Sequence, residues 1–215
     1  MKPLRYFVAL TFVAGACLTG RALYLHAKSE LAGFLIRRAW QLTARSGESR
    51  PPWPWADTHP IARLLIPPLG YDEIVLEGAT PRTLAFGPAR LLSGAALGEP
   101  GNLELAGHRT SWFEPLQGVG LGDTIEIEWY DVRRSGLRAR TYIVDDIRVV
   151  APEDVSLLAP TSNDALTLVT CYPFGRSPRS PQRFMVRASP ISLSHLARAS
   201  DVAPNHLPPS RAPAS

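Results

Sequence analysis

DTIEIEWY, residues 123–130, alternates without a break: Ile125, Ile127 and Trp129 on one side, Glu126 and Glu128 on the other. A period of two over this length predicts a strand with one dry face and one wet face. Working outward, IARLLI (61–66) and EIVLE (73–77) are short apolar runs bounded by PPLG and GAT. NLELAGH (102–108) also alternates, with Leu103 and Leu105 on one face. RTYIVDDIRVV (140–150), ALTLVTC (165–171) and RFMVRA (183–188) complete the set, each separated from the next by turn residues. A wet outer face favours antiparallel pairing. Short helical pieces are expected at 83–92, 111–116 and 152–158. Many short strands with few helices predict an all-β, mainly antiparallel fold: a closed or nearly closed barrel.

The chain has 215 residues, 45% of them hydrophobic, enough for one self-sufficient core. Two cysteines, Cys17 and Cys171, exclude a disulfide-dense scaffold and a four-cysteine zinc site. The net charge of +4 is unevenly spread: +6 over residues 1–50, −7 over 51–175 and +5 over 176–215. A nucleic-acid binder carries its basic charge on the folded domain. Here the domain is acidic, so no nucleic-acid partner is expected.

The N-terminus begins MKPLR and continues with the uncharged run YFVALTFVAGACLTG (6–20). Over residues 1–25 this pattern reads as a signal-anchor or a cleaved signal peptide, and the two stay open. Either one places the domain outside the cytoplasm. A membrane-anchor helix in the inner membrane, single-pass, with a periplasmic domain, is the expectation. Residues 26–54 hold a helical pattern around Leu31, Phe34, Ile36 and Trp40, then the linker SGESRPPWP. That helix either lies on anionic lipid or packs on the domain. The domain is expected over 55–190, followed by a disordered Pro/Ala-rich tail over 191–215.

Cys171 ends one apolar strand, His108 ends another, and Arg183 opens a third. Singly, each has an ordinary reading: a buried thiol, a solvated histidine, a surface charge. Together they fit one chemistry. A thiol is mostly protonated at neutral pH and needs a neighbouring base or cation to act as a nucleophile. Charge developing on a carbonyl oxygen needs a donor aimed at it, which a guanidinium supplies.

TLVTC (167–171) resembles the TLxTC signature of the sortase family. AGHR (106–109) is similar to that family's histidine loop, and the arginine of QRFMV to its arginine strand. VTCYPFG and EIVLEGATPRTLAFGPA look closest to the Gram-negative branch, although HRTSWF stands where HRDTHF is usual there. The resemblance implies a sortase-like barrel and a cysteine transpeptidase. Cys171 would attack a peptide bond in an LPxTG-like sorting signal of a partner protein and form a thioacyl enzyme. His108 would serve as acid and base, and Arg183 would bind substrate and stabilise the oxyanion. Thr170, beside the nucleophile, would shape the substrate pocket. An amine would accept the acyl group, and no metal or cofactor is needed. Two other readings remain: a cysteine hydrolase using the same three residues, and a non-catalytic β-barrel binding module.

Overall fold

The computed structural model describes residues 2–175 and 181–191, with side chains from residue 11 onward. The tail expected over 191–215 lies, from residue 192, outside the described residues. The chain opens with one helix, α1 (Lys2–Ser46). Strands follow at β1 (Pro60–Ile66), β2 (Tyr71–Glu77), β3 (Ala89–Arg90), β4 (Asn102–Ala106), β5 (Thr124–Asp131), β6 (Gly136–Val150), β7 (Ala165–Tyr172) and β8 (Gln182–Pro190). A four-residue helix, α2 (Pro81–Leu84), precedes β3. The strands close into a barrel in the order β1-β2-β3-β4-β7-β8-β6-β5.

Strict alternation holds where it was read. Ile125, Ile127 and Trp129 are buried, and Glu126 and Glu128 are only partly covered. Leu64, Ile66, Val75, Leu105, Leu166, Leu168 and Val186 meet them inside the barrel. Each such side chain contributes about 1.5–3 kcal/mol of burial.

Two expectations change, the helical piece over 83–92 and the alternation of β4, while the mainly antiparallel pairing holds. The helical piece over 83–92 is only α2, ending before Gly87 and Pro88. Proline has no N–H to continue a helix and restricts the residue before it. Instead the Pro88 carbonyl accepts from the Leu76 N–H at 2.9 Å, drawing Ala89 and Arg90 into the sheet as β3. The pairing is antiparallel except at β2–β3 and β4–β7, which run parallel. β4 does not alternate: Asn102, Leu103, Glu104 and Leu105 are all buried. Its outer face is covered by flanking loops. Asn102 Nδ2 and Thr167 Oγ1 both donate to the Leu157 carbonyl, at 2.8 and 3.0 Å. Parallel pairs buried on both faces follow the general rule for such sheets.

The two N-terminal segments form one continuous helix. Ile36, Ala39, Trp40 and Thr43 of α1 are buried at helical spacing. Ile36 and Trp40 pack with Ile74, Leu76 and Ala89 as a second apolar cluster on the outside of the barrel. The C-terminal part of α1 therefore packs on the domain. Gly47 ends the helix with φ of +73°, and its N–H donates to the Thr43 carbonyl. A side chain there would meet the Tyr130 ring at 2.3 Å. Among the described residues no helix is long and apolar enough to cross a membrane. The first third of the run 6–20 falls on residues whose side chains are not described.

Candidate active site

Of three neighbouring strands in the barrel order, β4 and β7 end and β8 begins at one rim. Cys171 is the penultimate residue of β7 and stands directly opposite Arg183 of β8. Paired residues in a ladder share a face, so thiol and guanidinium start from the same side of the sheet. On the other flank, Ala106 ends β4 opposite Val169. The chain then turns through Gly107, whose N–H donates to the Val169 carbonyl at 3.2 Å. His108 stands two residues past Ala106, as Cys171 stands two past Val169. The barrel register thus brings all three residues to one lip. His108 is exposed, and Cys171 and Arg183 are half-buried.

The turn carrying His108 is fixed from below and from both sides. Its carbonyl accepts from the N–H groups of Ser111 at 3.3 Å and Phe113 at 2.9 Å. Phe113 is fully buried in the core, with its ring against Tyr71. That ring lies so close to Gly107 that a Cβ would meet it at 2.7 Å. Glycine is the residue that lets the turn settle onto the aromatic floor. Trp112 Nε1 donates to the Leu84 carbonyl at 3.0 Å, tying the same turn to α2.

Two side chains stitch the histidine turn to the cysteine strand. Thr170, 3% exposed, donates from Oγ1 to the Gly107 carbonyl at 2.7 Å. Its hydroxyl is directed at the turn. Arg109 donates from Nη1 to the Pro173 carbonyl, just past the thiol. Beneath the lip, Tyr172, Phe174 and Phe184 form an aromatic trio, with the Phe174 and Phe184 centroids 5.0 Å apart and tilted edge to face. Arg183 donates from Nη1 to the Gln182 carbonyl at 3.1 Å, close to its own backbone.

The acids Asp145, Asp146 and Asp154 are held in separate local bonds. Asp146 pairs with Arg148 at 2.5 Å, Asp145 accepts from Ser189, and Asp154 accepts from the Ser156 N–H at 2.9 Å. The Ser156 hydrogen bonds hold the Asp154 carboxyl below the usual range. Another acid sits deeper. Glu104, 1% exposed, accepts from Ser93 Oγ at 2.9 Å, and burial pushes its carboxyl up.

The register places Cys171, His108, Arg183 and Thr170 near one rim, and Gly107, Arg109 and Trp112, which the sequence did not single out, hold the same turn. The signal was present in AGHR and HRTSWF, but their partners lie 28 to 64 residues away.

A family model described as the sortase domain matches residues 64–191. Among solved structures, sortase A from Corynebacterium diphtheriae is 31% identical with a TM-score of 0.56, covering 65% of this chain and 64% of that one. Sortase C1 from Streptococcus agalactiae is 26% identical with a TM-score of 0.54, over 62% of this chain and 68% of that one. A Clostridium perfringens sortase D5 transpeptidase shares the fold with a TM-score of 0.61 at 21% identity, over 76% of this chain and 99% of that one. The chain thus spans less than two thirds of the diphtherial structure's length. No curated protein matches it.

Proposed function

The chain belongs to the sortase family of cysteine transpeptidases, and on that premise we propose that its site cleaves an LPxTG-like sorting signal and transfers the acyl part to an amine. The observation that carries this reading is the register that sets Cys171 opposite Arg183 with the His108 turn on the other flank.

In the proposed reaction, Cys171 Sγ passes its proton to His108 and attacks the scissile carbonyl carbon. Arg183 binds the substrate and donates to the oxygen as it gains charge. His108 gives a proton to the departing amine, the C–N bond breaks, and a thioester remains on Sγ. An incoming amine attacks the thioester, and His108 takes its proton and returns it to the departing sulfur, which forms a new amide and frees the thiol. Thr170 and Arg109 act as positioning residues, since each holds the histidine turn against the strand that carries the thiol. Within the family we place the chain with the Gram-negative branch, on VTCYPFG and EIVLEGATPRTLAFGPA. We further propose that the domain works at the outer side of the inner membrane, held there by the N-terminal half of α1. The support is the basic start, the uncharged run after it and the exposed apolar side chains described below.

Product analysis tests the reaction. Mass spectrometry of an LPxTG peptide incubated with the protein is expected to yield an amide product when an amine is added. A free acid under both conditions assigns the site to hydrolysis. Unchanged cleavage by Cys171→Ala removes the cysteine from the chemistry.

A further inference from the structure

Residues 11–30 of α1 are exposed throughout. They include Phe12, Val13, Leu18, Leu23, Tyr24 and Leu25. At 3.6 residues per turn these side chains point all round the helix. A partner protein covers one stripe of a helix, whereas a fluid apolar medium covers every side. Where α1 reaches the domain, a groove of about 750 Å³ opens between the helix and the segment 53–57. Leu31 and Leu35 form its helix wall, and Trp53 and Trp55 face them. Trp53 is braced edge-on against Phe86 at 5.2 Å, whereas Trp55 is 82% exposed. Lys28 and Arg82 flank the groove. Asp57, the acid beside them, is engaged by Arg82 at 3.1 Å. From Arg21 to Arg45 the helix carries five cations and a single acid, Glu30. Indoles beside cations, next to apolar surface, match the interface between hydrocarbon and headgroups.

We propose that this groove seats on the headgroup layer of an anionic bilayer, with Trp55 inserted at the interface and Lys28 and Arg82 on lipid phosphates. The inference rests on the membrane location proposed above and adds a second contact to it. A helix alone leaves the domain free to swivel, whereas a helix and an inserted indole fix which way the Cys171 rim faces. The headgroup and interfacial region is about 7 Å deep on each side of the hydrocarbon. Lys28 is about 10 Å along the helix from Leu35, so the Lys28 end of the groove fits that layer and the Leu35 end stands just outside it.

The test uses the full chain with vesicles of phosphatidylcholine, with or without phosphatidylglycerol, made with ordinary or acyl-brominated lipid. Flotation reads attachment, and bromine quenching of indole emission reads insertion. The full chain is expected to float, with quenching stronger on the phosphatidylglycerol vesicles. Trp55→Phe is expected to float equally and to lose roughly half of the quenching, while Trp112→Phe loses little of it. Failure to float overturns the membrane location and this proposal with it. Flotation with Trp55→Phe quenched as fully as the parent overturns the docking alone and leaves the location standing. Equal quenching on the two lipid compositions overturns the role given to Lys28 and Arg82.

Discussion

The barrel wall of β1 and β5 and the wall of β4 and β7 are built by different rules. On the first, burial alternates along both strands, and the outer charges face water. Arg63 donates to Asp72 at 2.6 and 2.7 Å and to Glu128 at 3.2 Å. On the second, both faces are covered, and Asn102, Glu104, Thr167 and Thr170 are buried polar residues. Buried polar groups are costly unless bonded, and these four are bonded across the chain. The first wall makes a barrel. The second fixes two turns and a strand end relative to each other, which is the requirement of a site assembled from three separate strands.

Substitutions at the lip have the largest expected effect. Cys171→Ala removes the proposed nucleophile and is expected to lower turnover at least about 10⁴-fold. His108→Ala and Arg183→Ala each lower it by about 10²–10³-fold. Circular dichroism and thermal melting are expected to stay close to the parent for all three, because none is in the core. The opposite wall supplies the contrast: Glu126→Gln leaves turnover unchanged within about twofold, as expected for a partly exposed surface charge. A comparable loss there would erase the distinction between the walls.

Gly107→Ala drives a methyl into the Phe113 ring. Urea denaturation is expected to report a loss of about 1–3 kcal/mol, accompanied by a fall in kcat as the histidine turn shifts. Thr170→Val removes the donor to the Gly107 carbonyl and is expected to cost about 1–3 kcal/mol. Thr170→Ser, which keeps the hydroxyl, restores most of kcat. If valine and serine behave alike, the bond does not position the turn.

The smallest effects are in the pH dependence of stability, where the walls differ in sign. Burial holds Glu104 above the usual glutamate range, against a weaker pull from the Ser93 hydroxyl. Its contribution is full below the unfolded pKa of about 4.3 and is lost as pH rises through the folded value. The hydrogen bond from Arg63 holds Asp72 below its usual range, partly opposed by desolvation. Its contribution is full above the unfolded pKa of about 3.9 and is lost as pH falls through the folded value. Glu104→Gln is therefore expected to flatten the decline on the rising side, and Asp72→Asn the decline on the acid side, in melting curves taken from pH 3 to 7. A Glu104→Gln profile parallel to the parent's would mean that the carboxyl is solvated.

The first wall was legible in the sequence because DTIEIEWY carries its burial pattern in its own spacing and IARLLI reads as a short apolar run. The second was not. NLELAGH alternates on paper, yet Glu104 is covered because distant loops fold over it. β3 left no trace, since two residues become a strand only through Leu76 and Ala106 on either side. In the site, Cys171, His108 and Arg183 were legible as motifs at strand ends, and their residue types limit the chemistry. Arg109, Gly107 and Trp112 were not, because each matters through a partner that only the closed barrel brings near.

The most direct test of the site is intact-protein mass spectrometry of the full chain, acid-quenched during reaction with an LPxTG peptide. The account predicts an acyl adduct that maps to Cys171 after digestion, discharges on addition of an amine, and is absent from Cys171→Ala. An adduct on Cys17, no adduct at Cys171, or cleavage that continues undiminished without that sulfur would contradict it.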